Sequence, residues 1–123
     1  MKQKKIGDST ERKCLEVLSK LGYWCHLFAY NKNGQPCDIV AMKDNIGYLI
    51  DVKHCEGDRF DFKRIEPNQR SCFIYARSCG NKTLGLMIYF EKHNCFNYLP
   101  FWAVEEMERN GEKSYKFDEG RAL

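Results

Sequence analysis

The sequence predicts a single α/β domain, with helices and short strands in the order α-β-β-β-α-β-β. Three observations carry that prediction: apolar residues at helical spacing in two separate windows, a nearly continuous apolar run of strand length from Leu84 to Phe90, and turn signals that separate these segments. At 123 residues, 43% of them hydrophobic and 14% aromatic, the chain fits one compact core without a linker, and residues 1–123 are read as one domain.

Asp8-Ser9-Thr10-Glu11 has the form of a capping box, followed by Cys14, Leu15, Val17, Leu18 and Leu21 at helical spacing until Gly22 offers a stop. Tyr23 to Tyr30 is aromatic-rich and reads as a strand, ended by the turn residues Asn31 to Pro36; a second strand runs from Cys37 to Met42. The short polar connection Lys43 to Gly47 makes Tyr48 to Lys53 the antiparallel partner of that second strand. Glu56 to Lys63 is charged and reads as a loop. Pro67 then fits the first turn of a helix whose apolar face is Cys72, Phe73 and Ala76, stopped at Cys79-Gly80. Leu84 to Phe90 has the pattern of a strand covered on both faces, Phe96 to Val104 reads as a strand broken at Pro100, and Glu105 to Asn110 as a short helix. Ser114 to Leu123 carries no clear pattern. Trp24, Phe28, Phe73 and Phe90 are expected in the core, whereas Phe60 and Phe62, in the charged segment, are expected to meet a partner subunit or DNA.

Composition excludes more than it assigns. A net charge of +3 is compatible with an anionic partner but does not identify one. The cluster Lys2, Lys4, Lys5 reads either as a solvated tail or as a phosphate-binding arm. Seven cysteines, an odd count without a C-x-x-C pair, read as reduced thiols of a cytoplasmic protein, and the spacing of Cys72 and Cys79 is too wide for a zinc knuckle. No apolar segment approaches the roughly 18–20 residues of a membrane-spanning helix, and the basic N-terminus lacks the apolar region of a signal peptide.

One constellation carries chemistry. Side chains alternate across a strand, so Asp51 and Lys53 point to one face and Ile50 and Val52 to the other. Asp38 opens the neighbouring strand, and the hairpin brings it near the level of Asp51 to Lys53. Two adjacent carboxylates repel unless a hard divalent cation such as magnesium binds between them. Such a cation acidifies water and neutralises charge on a phosphodiester, while Lys53 serves as proton acceptor through its neutral amine or as electrostatic clamp through its ammonium. Spacing alone leaves a second reading open: a turn cap at Asp38 and a surface cross-strand pair at Asp51 and Lys53 worth under about 1 kcal/mol.

Asp38, twelve intervening residues, then Asp51-Val52-Lys53, with Pro36 two residues before the first Asp, resembles the signature of the PD-(D/E)XK nuclease superfamily. Gly7-Asp8-Ser9-Thr10-Glu11-Arg12 resembles the helix start of archaeal Holliday-junction resolvases, and Arg64-Ile65-Glu66-Pro67-Asn68-Gln69 that of the Gln-bearing helix of bacterial RecU-type resolvases. The resemblance runs from about residue 6 to about residue 90. It implies a restriction-endonuclease-like αβββαβ core, a central mixed sheet flanked by helices, and a magnesium-dependent endonuclease, with manganese as a substitute ion. Asp38, Asp51 and the Val52 carbonyl would be metal ligands, and Lys53 would stand at the attacking water. Glu11 would approach the same metal, unless its role is the return bond of the capping box. Gln69 would orient water or a phosphate, unless it is an ordinary first-turn residue. A homodimer acting on branched or four-way DNA in recombination or repair is implied as well.

Lys32 and Asn33 in the loop before Asp38, Arg64 and Arg70 at the second helix start, and Lys4 and Lys5 are the candidates for DNA contact. His54 follows Lys53 and projects to the opposite face, which makes it a packing residue rather than a ligand. Two departures stand out: Asp51 occupies a position where resolvases commonly carry Glu, and no insertion is long enough for the stalk of RecU-type enzymes. The rival functions are another nuclease of the superfamily, restriction-like, nicking or acting in branched-DNA repair, and a non-catalytic DNA-binding module on the same fold.

Overall fold

The computed structural model describes residues 2–28 and 37–123, with backbone alone for residues 2–8. Along the chain lie α1 (Lys2–Lys20), β1 (Trp24–Leu27), β2 (Ile39–Lys43), β3 (Ile46–Cys55), β4 (Arg59–Asp61), α2 (Pro67–Ser78), β5 (Leu84–Phe90), β6 (Cys95–Pro100), α3 (Phe101–Arg109) and β7 (Ser114–Lys116). The main sheet has the order β1-β2-β3-β5-β6. Its β3–β5 pair is parallel and its other pairs are antiparallel, so it is a mixed sheet flanked by helices. β4 and β7 form a separate antiparallel ribbon.

Local sequence explains the joints. Tyr23 N–H reaches back to Leu18 O (3.0 Å) and Gly22 N–H to Ser19 O (3.1 Å), with Gly22 at φ 94°. These paired bonds close the last turn of α1 and need a residue that tolerates positive φ, as glycine does. Asp44 and Asn45 alone separate β2 from β3 and have φ of 54° and 69°. Two successive positive φ values match the twist of a tight hairpin, and Asp and Asn adopt them at low strain.

Two apolar clusters sandwich the sheet. α1 contributes Cys14 and Leu18 to one, with Ile39, Ala41, Ile50, Val52, Met87, Tyr89 and Phe96 beneath. α2 and α3 contribute Phe73, Phe101, Ala103 and Val104 to the other, over Leu84, Leu86, Ile88, Phe90 and Leu99. The two helices are clamped to each other by Arg70 with Glu108 (2.9 and 3.0 Å) and by Arg77 with Glu105. Arginine forks on carboxylates fix orientation as well as distance.

Several expectations are corrected. α1 begins at Lys2, so Asp8 to Glu11 lie inside the helix rather than capping it. Lys2 to Lys5 are good helix formers, and Gly7 does not interrupt them. The run Phe96 to Val104 is a strand that ends at Pro100 and a helix that starts at Phe101, because proline suits the entry to a helix. Phe60 and Phe62 are core residues, 0% and 2% exposed, drawn in by the β4–β7 pairing. Trp24 is 61% exposed, since no helix among the described residues covers its side of the edge strand.

Candidate active site

β3 carries the central residues. Ile50 and Val52 are buried under α1, which leaves Asp51 and Lys53 on the face toward α2 and α3. Asp51 is 1% exposed, and Asp38, just before β2, is 7% exposed. The chain pins Asp38 on both sides: its N–H bonds Ile50 O at 3.0 Å, its carbonyl accepts Phe28 N–H at 2.9 Å, and its Oδ2 accepts Val52 N–H at 2.7 Å. Strand alternation puts the Val52 carbonyl on the same side as its N–H, toward Asp38.

Gln69, in the first turn of α2, connects the remaining groups. Its Nε2 donates to Asp51 Oδ1 (2.8 Å), while its Oε1 accepts from Lys53 Nζ (3.1 Å) and from Glu66 N–H (3.0 Å). Two donors on one side of the amide and a carboxylate on the other fix which atom is oxygen and which is nitrogen. Lys53 Nζ is 3.2 Å from Asp51 Oδ2, an ion pair without hydrogen-bond alignment, so Oδ2 remains a buried oxygen with no hydrogen bond. Burial pushes the Asp51 carboxyl well above the usual carboxylate range; Asp38 adds to that rise, and Lys53 opposes it.

Among the described residues no three His, Cys, Asp or Glu side chains form a ready-made cage. Two carboxyls, those of Asp38 and Asp51, are buried here, and the first accepts the Val52 N–H. The buried Asp51 carboxyl, set beside Asp38 and raised by burial, fits a hard oxygen-seeking cation such as magnesium or manganese.

Glu11 is half-buried on α1, one turn before Cys14. The Cys14 thiol is raised chiefly by burial and further by Cys25, Asp38 and Glu11, which places this turn of α1 near Asp38. Thr10 Oγ1 and His54 Nδ1 are 2.8 Å apart, and His54 Nε2 is 2.7 Å from Glu91 Oε2. His54 thus ties α1 to β3 and packs as expected. Thr10, 3% exposed, was not singled out, although its place beside Glu11 in a helix packed on the sheet was the available signal.

Arg70 is engaged by Glu108, and Arg64 is exposed with its guanidinium 5.2 Å from the Phe60 ring centroid. Lys32 and Asn33 lie outside the described residues, as do the side chains of Lys4 and Lys5. Among the described residues no helix is long and apolar enough to cross a membrane.

No protein-family model matches the sequence, and no curated protein does. Solved structures do. A Holliday junction resolvase, Hjc of Archaeoglobus fulgidus, superposes with a TM-score of 0.64 at 25% identity, over 95% of this chain and 89% of that one. The bacterial homing endonuclease I-Ssp6803I superposes with a TM-score of 0.58 at 16% identity, over 92% of this chain and 72% of that one, a likeness of fold. The chain has the restriction-endonuclease-like fold that its sequence resembled.

Proposed function

We propose that this chain is a metal-dependent DNA endonuclease that hydrolyses phosphodiester bonds, and more specifically a Holliday-junction resolvase working as a homodimer on branched DNA. The observation that carries the reading is the pair of buried carboxyls of Asp38 and Asp51 on adjacent strands, with Lys53 and Gln69 bonded to the second. The resolvase Hjc and a homing endonuclease among its structural neighbours support the reaction class. The closer likeness to Hjc favours junctions over the alternatives, a restriction-like, nicking or repair nuclease.

Asp38, Asp51 and the Val52 carbonyl would hold magnesium or manganese, with Glu11 reaching the ion from α1. The bound ion supplies acidified water and neutralises charge on the scissile phosphate. The chain does the rest. Lys53, held on two sides by Asp51 and Gln69, keeps its ammonium where a water or a phosphate oxygen is aligned for in-line attack. Gln69 keeps Lys53 and Asp51 at fixed separation. Arg64, Lys32, Asn33, Lys4 and Lys5 are assigned to phosphate contact, with Arg70 sharing that role only by leaving Glu108.

The test is cleavage of labelled four-way junction, flap, nicked and linear duplex DNA with magnesium, by the natural protein and by Asp51→Asn. Symmetric junction cuts that fall at least about a thousandfold in the variant are expected, the scale of losing a group that acts in the transition state. Equal cutting of junction and linear DNA would retain the nuclease and remove the resolvase; DNA binding without cutting would favour a non-catalytic module.

A further inference from the structure

The two faces of the main sheet are covered unequally. α1 and its cluster span one face with residues from all five strands. On the other face the cluster under α2 and α3 draws on β3, β5 and β6, but on no described residue of β1 or β2. Alternation sends Cys25 and Leu27 toward α1, so Trp24, His26 and Phe28 face the side that no described helix covers, with Trp24 opposite Met42 and His26 opposite Val40. Trp24 is 61% exposed and Met42 48%. The His26 and Phe28 rings meet edge to face at 5.5 Å, which agrees with a shared side. This is also the face of Asp51 and Lys53, and Phe28 N–H bonds the Asp38 carbonyl at 2.9 Å. The row therefore runs from open solvent at Trp24 to the backbone of Asp38.

We infer that Trp24, His26 and Phe28 form a stacking platform for unpaired bases of the DNA strand entering the site; the choice of DNA as ligand rests on the endonuclease reading. Alternate residues of a strand stand about 7 Å apart, so the Trp24 ring is one seat and the edge-to-face pair of His26 and Phe28 the next. Sheet-borne aromatics seat unstacked bases irrespective of sequence, because every base has a π-face. A duplex encloses its base faces and offers none. A second copy of the chain is disfavoured as occupant: docked over this row it would cover the approach to Asp38 and Asp51 and would bury His26 and Lys53. Flaps and single-stranded ends supply the matching chemistry, unpaired bases beside the bond to be cut, and a four-way junction supplies it where pairs at the crossover are opened.

Binding is measured in EDTA, so that no cleavage is needed. In a Trp102→Phe background Trp24 is the remaining tryptophan, and its emission is followed while adding oligothymidine of about 15 nucleotides, within the usual site size of single-strand binders. A blunt duplex of the same length is the control. Quenching by oligothymidine and not by duplex is expected; the affinity of the Trp24 variants is read by anisotropy of a fluorescein-labelled oligothymidine, and falls roughly 5- to 100-fold in Trp24→Ala while being largely kept in Trp24→Phe. Trp24 is exposed, so these variants should fold, and circular dichroism verifies it. Unchanged oligothymidine affinity in Trp24→Ala, or equal quenching by duplex, overturns the platform. So does emission that ignores DNA but changes with protein concentration as the mass doubles, which assigns the row to a second copy. Oligothymidine binding without cleavage of junction, flap, nicked or linear DNA keeps the platform and removes the endonuclease; cleavage with DNA affinity indifferent to Trp24 does the reverse.

Discussion

β3 and β5 lie side by side and parallel in the middle of the sheet, yet they fill equivalent positions with opposite chemistry. Asp51 and Lys53 are the register partners of Leu86 and Ile88, and all four point toward α2 and α3. β5 is buried at every position along its length. β3 inserts a carboxyl that is 1% exposed and an ammonium into the same layer. The apolar neighbour establishes that this layer tolerates hydrocarbon, so the fold does not require the charges. A buried ion pair adds little net stability, whereas breaking it strands the surviving charge. Leu86 and Ile88 hold the sheet together; Asp51 and Lys53 are carried at the expense of stability.

The largest expected effect breaks the apolar side of this contrast. Leu86→Ala should lower unfolding free energy by about 2–5 kcal/mol in urea titration, the range for truncating a buried leucine, while the molecules still folded cut DNA at the natural rate. A loss of cutting in the folded fraction would show that β5 shapes the site as well as the core.

Next, Asp51→Asn should raise the melting temperature of the metal-free protein at neutral pH, because burial and Asp38 resist ionisation of the folded carboxyl more than Lys53, which stays bonded to Gln69 Oε1, favours it. The sign follows from linkage. The folded carboxyl is raised by burial first and by Asp38 second, so its stabilising contribution is whole below the unfolded value and is lost as pH rises through the folded one. Metal-free natural protein should therefore melt at falling temperature across that window, with a shallower slope in Asp51→Asn. Identical slopes would mean that the carboxyl is not the strained group.

The smallest effect sharpens the polar side. Gln69→Leu keeps the bulk but loses the bonds to Asp51 and Lys53, and should slow single-turnover cleavage roughly 10- to 100-fold, as loss of a supporting partner does. An unchanged rate would leave Gln69 as a helix cap alone.

Legibility differed between these strands for physical reasons. Leu84 to Phe90 was readable because a strand covered on both faces has one signature, and Asp51 and Lys53 because alternation fixes their common face. α2 was readable from Pro67 onward. α1 was misplaced at its start because a capping-box pattern costs nothing inside a helix, and α3 because one apolar run served two elements that meet at Pro100. Phe60 and Phe62 are buried by a pairing with a segment more than fifty residues away, and Trp24 is exposed because no described helix packs on its face. Neither fact resides in local sequence. At the site, the carboxylates and Lys53 were legible, whereas the threefold bonding of Gln69 exists only once α2 docks.

That docking has a thermal consequence. Gln69 Oε1 accepts the Glu66 N–H at the entry to α2 and the Lys53 ammonium together, so fraying of one helical turn releases both. Helix ends open at free energies far below that of the whole domain. Competence for cleavage is then governed by a local opening equilibrium, and on warming it should fade while the sheet, its apolar clusters and the bulk of the circular dichroism signal remain intact.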